Sequence, residues 1–450
     1  MKVPQRPPAF DELLREMVST GSLTDILAAV KPVDTRGRYL HWDEIRNRTP
    51  PDGLTHRQWW FGMAFSRQGI ARTLPLESTS GEEFRFCNVD PIQEMVHRID
   101  QQASGQILAD EVVTGLRSSD RYLVSSLVEE AITSSQLEGA STSRRVAKEL
   151  LATGRKPRDR SEQMIVNNFQ GMMFAQDLAQ APLTPTDVLD LHRILTEDTL
   201  DDPDDAGRLQ QPGDDRIAVY WHDDTLLHRP PPADELPERL DAMCRFANGE
   251  AIEGFIHPVV RAIVLHFWLA YDHPFADGNG RTARALFYWS LLRDGYWLAQ
   301  YLSVSSILRK APARYARSYL LTETDSNDVT YFVIYQLQVI ERATASLHEY
   351  LARKAQENRE LESLLHGSPH LNHRQLVVLR DALRDPSEPF TIQPQARRHR
   401  VTYESARSDL LGLEELGLLS KEKVGKKYVF RSPPDLTQRL RALGGRVPRP

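Results

Sequence analysis

Residues 273–284 read His-Pro-Phe-Ala-Asp-Gly-Asn-Gly-Arg-Thr-Ala-Arg. Two glycines flank an asparagine at the point where a helical pattern begins. Free backbone N–H groups at a helix start attract anions, and glycine lets a phosphate approach closely. Arg281 and Arg284 are three apart and share a helical face, so both are placed to meet one polyphosphate. Asp277 offers a hard oxygen to Mg²⁺, the ion that bridges phosphates. His273 has an imidazole whose ordinary pKa of about 6.5 suits a general base at neutral pH. These are the parts of a nucleotidyl- or phosphoryl-transfer site. Gly278-x-Gly280-x-x-Ala283 imitates a dinucleotide-binding fingerprint, but that fingerprint needs a strand before it, and here a helical pattern precedes.

The passage resembles the Fic motif, HPFx[D/E]GNGRxxR, and matches it at every specified position. The resemblance extends over roughly residues 120–345. It implies a mainly α-helical Fic fold with a small β-hairpin flap, and an enzyme that moves AMP from ATP to a protein hydroxyl. In that reading His273 deprotonates the hydroxyl and Asp277 binds Mg²⁺. Asn279 and the backbone at Gly278 and Gly280 hold the α- and β-phosphates, Arg281 also binds phosphate, Arg284 holds the γ-phosphate, and Phe275 anchors the loop. Doc-type kinases of the same family carry lysine where Gly280 stands and lack the second arginine, so the resemblance points to AMP transfer rather than phosphorylation.

Upstream, Ser134-Ser135-Gln136-Leu137-Glu138-Gly139 fits the family's inhibitory pattern, [S/T]xxxE[G/N]. Glu138 sits in the last turn before a terminating glycine, where the helix dipole disfavours a negative charge by about 0.3–1 kcal/mol. A local rule broken without visible gain often marks function. The resemblance implies that Ser134, Glu138 and Gly139 form a brake in which Glu138 pairs with Arg284 and excludes the γ-phosphate. In some relatives this glutamate also positions a water that removes AMP, so deAMPylation stands as one alternative. A nucleotide-sensing DNA-binding regulator is the other, although pure sensing would not need His273.

Two further features surround the motif. Arg216 to Trp221 and Thr225 to Arg229 read as a hairpin, ended by three prolines, that would serve as a flap holding a target segment by strand addition. Tyr315 and Tyr319, four apart, are either core residues or the wall of an adenine pocket.

The elements that must position these residues are mostly helical. Helices are expected at about 121–139, 160–177, 185–196, 236–248, 258–271, 281–293, 312–323 and 329–354. Residues 1–115 form an N-terminal α-rich domain with one short β segment around Gly81 to Cys87, and its tryptophans Trp42, Trp59 and Trp60 are packing anchors. The catalytic domain is expected over 116–355. A polar stretch, Glu357 to Pro369, reads as a linker. Residues 370–432 then read as a winged helix-turn-helix, with a tail at 433–450.

The chain has 450 residues and a formal charge of −6, which argues against a histone-like, generally cationic protein. Residues 370–431 nevertheless carry twelve Lys/Arg against eight Asp/Glu, a local charge of +4. Arg397, Arg398, Arg400, Thr402, Tyr403, Arg407, Lys426 and Lys427 are candidate DNA contacts, against the alternative of a module used for protein contacts or dimerisation. The candidate partners are therefore ATP with Mg²⁺, a target protein (the chain itself included), a second copy in a homodimer, and DNA. Two cysteines, no signal-peptide core and no stretch able to span a bilayer give the expectation of a cytoplasmic protein.

Overall fold

The computed structural model describes residues 2–104, 116–214, 216–221, 223–250, 252, 254–366, 371–384, 388–424 and 427–444. The chain divides into two compact units, Met1–Leu347 and His348–Pro450.

In the first unit the structure is built around Pro258–Asp272, which is mostly apolar and in which every residue from Ala262 to Leu269 is buried. A helix of that kind has to be buried all round. It runs against Asn279–Arg293, whose Leu286, Phe287, Trp289 and Leu291 are also buried. Leu116–Leu137, Arg160–Leu178 and Pro185–Thr196 pack around this pair. Local signals fix several helix starts. Thr184 and Asp187 form a reciprocal capping box with Pro185 in the first turn, and Asp159 caps the next helix upstream through the Glu162 N–H.

The tryptophan-rich N-terminus forms its own cluster, with Trp59, Trp60, Phe61, Leu13 and Ile45 at its centre. It is joined to the rest of the unit by Arg67, which donates to the Tyr331 hydroxyl, and by the Cys87 N–H, which donates to Thr330. Here Glu83–Cys87 pairs antiparallel with a second strand, Ala71–Glu77. The second small hairpin pairs Val219–Tyr220 with Leu226–His228. Both cysteines are buried free thiols, and among the described residues no helix is long and apolar enough to cross a membrane.

The second unit contains helices His373–Arg384, Ile392–His399 and Tyr403–Glu415, then the antiparallel strands Ser420–Val424 and Lys427–Arg431. Phe390 bridges to Phe430, adding a third backbone pairing beside the hairpin. Leu379, Leu410, Leu413, Leu418 and Phe430 form its core, closed by Leu440 from a final helix, Leu436–Gly444.

One expectation fails. Glu357 to Pro369 is expected as a polar linker, but its residues up to His366 continue the helix that starts at Thr330, and 367–369 lie outside the described residues. Its Glu, Leu, Arg and Gln residues are good helix formers, and no glycine or proline interrupts them before Gly367.

Candidate active site

The loop 273–278 joins the two central helices. His273 caps the first in a left-handed conformation, φ 45 and ψ 54, an arrangement costly for a residue with a Cβ. Its Nδ1 faces the Ala270 carbonyl at 3.4 Å. A proton on Nδ1 leaves the lone pair on Nε2. Burial, helped by the neighbouring charges of His228 and Arg216, pushes the imidazole pKa down to about 4, so the ring is neutral at physiological pH.

The loop is closed from within. The Phe275 N–H donates to Asn279 Oδ1 at 2.9 Å, and Asn279 Nδ2 donates back to the Phe275 carbonyl at 2.8 Å. The asparagine amide thus serves the loop backbone. Phe275 is wholly buried and lies flat on the His192 ring, with centroids 3.7 Å apart. His192 Nε2 donates to the Asp277 carbonyl at 2.8 Å, while its Nδ1 accepts from the Gly207 N–H. Burial pushes His192 down to about 4, which keeps it in the neutral form that this donor-and-acceptor role requires. Gly278 has φ 85, and a Cβ there would stand 2.7 Å from Thr196 Cγ2. Only glycine fits.

The Asp277 carboxylate is half-exposed. One oxygen accepts the Gly278 N–H at 2.6 Å; the other is 3.4 Å from Arg281 and 3.7 Å from Arg160. Among the described residues no group of three or more His, Cys, Asp or Glu side chains could hold a metal by itself. A single outward-facing carboxylate nevertheless suits Mg²⁺, which commonly takes one or two carboxylates and fills its sphere with phosphate oxygens and water.

The two arginines face different ways. Arg281 is buried, donates to the Leu195 carbonyl at 2.9 Å, and keeps an Nε without a hydrogen-bond partner. Arg284 is 2 % exposed. Its Nε donates to Ser134 Oγ at 2.9 Å and its Nη2 to the Ser134 carbonyl at 3.2 Å. The same Nη2 donates to Glu138 Oε1 at 2.8 Å. Glu138 is also placed over the helix start: a Cβ on Gly280 would clash with its Oε1. A carboxylate therefore occupies the anion-attracting first turn of Asn279–Arg293. Gly139, φ 93, ends the helix that carries it.

Tyr315 and Tyr319 are half-buried in an aromatic cluster with Phe267 and Phe332. Their hydroxyls meet at 3.0 Å, and Tyr315 also meets His266 Nε2 at 2.8 Å. In the second unit Thr402 caps Tyr403–Glu415 through the Ser405 N–H. Arg397, Arg400, Tyr403 and Lys427 are exposed, and Arg400 has a left-handed backbone conformation (φ 51). Arg398 is paired with Asp381 and Arg407 with Glu404. Lys426 lies outside the described residues.

Sequence reasoning missed His192, Thr196, Arg160 and Arg216. Their ties to the motif are distant in sequence: His192 meets Asp277 across 85 residues and Arg216 meets Asp272 across 56.

Residues 182–291 match the Fic/DOC family model. The chain is 35 % identical over 136 residues to the protein adenylyltransferase Fic of Drosophila erecta, covering 29 % of this chain and 25 % of that protein. It is 32 % identical over 114 residues to the protein of the same name from Nematostella vectensis, covering 25 % and 24 %. It thus spans about a quarter of the length of the curated relatives it matches. Among solved structures, a Fic family protein from Desulfovibrio desulfuricans superposes with a TM-score of 0.50 at 18 % identity, over 76 % of this chain and 94 % of that one. That likeness establishes the helical fold. The family match begins after Glu138, so the contact to Arg284 comes from the geometry alone.

Proposed function

We propose that this chain, which carries a Fic domain at residues 182–291, is a protein adenylyltransferase restrained in cis by Glu138. The single observation that carries the reading is the neutral, half-buried His273 beside a glycine-bounded helix start flanked by Arg281 and Arg284. A hydroxyl oxygen of the target attacks the α-phosphorus of ATP. Its proton goes to His273 Nε2, the bond between the α-phosphorus and the bridging oxygen breaks, and pyrophosphate leaves. AMP remains on the target as a phosphodiester.

The helix N-terminus and Arg281 hold the phosphates. Asn279 maintains the loop that presents those N–H groups. Asp277 would hold Mg²⁺, which neutralises phosphate charge when bound. Arg284 would receive the γ-phosphate, which selects the orientation that exposes the α-phosphate. Glu138, paired to that guanidinium and lying over Gly280, keeps the phosphate out. The hairpin at 216–229 holds the target segment, and its exposed Ile217, Tyr220 and Leu226 suit an apolar strand partner. Label supplied on the α-phosphate of ATP should appear on protein and label on the γ-phosphate should not. The reverse would make the chain a kinase.

For the second unit we infer a winged helix that meets the phosphate backbone of DNA. The supporting observation is the exposed set Arg397, Arg400, Tyr403 and Lys427 around a capped helix start and a two-stranded wing. Loss of duplex binding by the full chain carrying Arg397→Glu and Arg400→Glu tests it.

A further inference from the structure

We infer that Arg216 is a positioning residue for His273: together with Gln210 and His228 it ties the hairpin to the turn that carries the proposed base, so that the two move as one piece. This rests on the AMP-transfer reading for its kinetic consequence, but not for its structural one.

A helix end leaves its last carbonyls without intrahelical partners. Here four successive carbonyls at the end of Pro258–Asp272 receive donors from one segment of chain. His228 Nε2 donates to the Tyr271 carbonyl at 2.7 Å. Arg216 donates through Nη2 to Asp272 at 2.7 Å and through Nη1 to His273 at 3.2 Å. The Gln210 N–H donates to Pro274 at 2.9 Å. Arg216 Nε donates to the Pro231 carbonyl at 2.7 Å, just past the far strand of the hairpin. Nη1 also meets the Gln210 side chain. One guanidinium thus clamps both feet of the hairpin and both carbonyls of the His273 turn.

The fork geometry requires arginine. A lysine ammonium is a point donor and could not reach Asp272, His273 and Pro231 together. A cation here also lies at the negative end of the helix dipole. The clamp answers a specific need, because His273 is held at φ 45 without being glycine, and that conformation persists only where its surroundings enforce it. His228 closes the other strand: its Nδ1 meets Glu323 Oε2 at 3.0 Å on Pro312–Thr324. A target strand that docks on the hairpin therefore bears on the backbone of His273 through two hydrogen-bonded side chains.

The test uses the full chain with Glu138→Gly, alone and combined with Arg216→Ala or Arg216→Lys. Arg216→Ala should lower kcat for AMP transfer by about 10- to 100-fold, the cost of a misplacement near 1 Å, with KM for ATP changed less than about threefold. Arg216→Lys, which keeps the charge and loses the fork, should recover only part of kcat. Amide hydrogen exchange of the nucleotide-free chain gives the second readout. In Arg216→Ala the peptides over 271–275 and over the strands at 219–228 should lose protection together, while Arg144–Thr153 stays unchanged. Unaltered exchange at 271–275, or an equal rise in KM for ATP with kcat intact, overturns the inference. Labelling that survives His273→Ala would instead overturn the AMP-transfer reading and leave the exchange result as the judge of the clamp.

Discussion

Arg284 Nη2 and Glu138 Oε1 are 2.8 Å apart across 146 residues of sequence, and the same carboxylate oxygen rests on Gly280 at the start of the helix that bears Arg284. One side chain thereby fills two positions an incoming polyphosphate would need, the arginine and the first turn. Ser134 takes the Nε donor of the same guanidinium through its Oγ and shares Nη2 with Glu138 through its carbonyl.

Arg284→Ala in the Glu138→Gly background should return AMP transfer to the unmodified chain's level or below, since the γ-phosphate then has no cation to orient it. Initial rates of label transfer measure this. Rates equal to Glu138→Gly alone would mean that Arg284 does not select the nucleotide's orientation.

The acid limb of the pH profile should lie well below 6.5. Burial lowers the His273 pKa to about 4, so the ring remains an unprotonated base as pH falls through the range where free imidazole takes up its proton. Transfer by Glu138→Gly should therefore persist at pH 5.5, and kcat/KM should decline only nearer pH 4. A limb centred at 6.5 would contradict the lowered pKa of His273.

Asp277→Ala should raise the Mg²⁺ concentration for half-maximal transfer by about tenfold or more, because no other carboxylate of the loop faces outward. Titration of Mg²⁺ at fixed ATP reads it directly. Full activity in a chelator would contradict the assignment.

Gly278→Ala should destabilise the first unit by about 2 kcal/mol or more. The left-handed conformation alone costs about 1–2 kcal/mol with a Cβ, and Thr196 Cγ2 at 2.7 Å adds a clash. Denaturant unfolding monitored at the buried tryptophans provides the measurement, and a shift below 0.5 kcal/mol would contradict the packing described.

What was legible in the sequence was local. The run from His273 to Arg284 carries its chemistry within twelve residues, and Ser134 with Glu138 is a one-turn pattern, so both could be named before any contact was known. The helix Pro258–Asp272 announced itself by apolar content, and Pro185–Thr196 by its capping residues. The supports were not legible. His192 looks like any histidine on an apolar helix until the fold stacks it on Phe275, and Arg216 looks like the first residue of a strand until it caps a helix end 56 residues away. Ala71–Glu77 was missed because Pro75 interrupts its alternation, and Ile392–His399 because eight residues give too short a period to read.

The most direct test is transfer of label from ATP marked on the α-phosphate, in a lysate of the native host, comparing the unmodified chain, Glu138→Gly, and Glu138→Gly with His273→Ala. A charge-assisted hydrogen bond nets about 1.5–3 kcal/mol, which at about 1.4 kcal/mol per decade corresponds to a ten- to hundredfold gain on freeing Arg284. The account predicts weak labelling by the unmodified chain, labelling stronger by that factor with Glu138→Gly, and none above background once His273 is also replaced. Equal labelling by the first two, or labelling that survives the loss of His273, would contradict it.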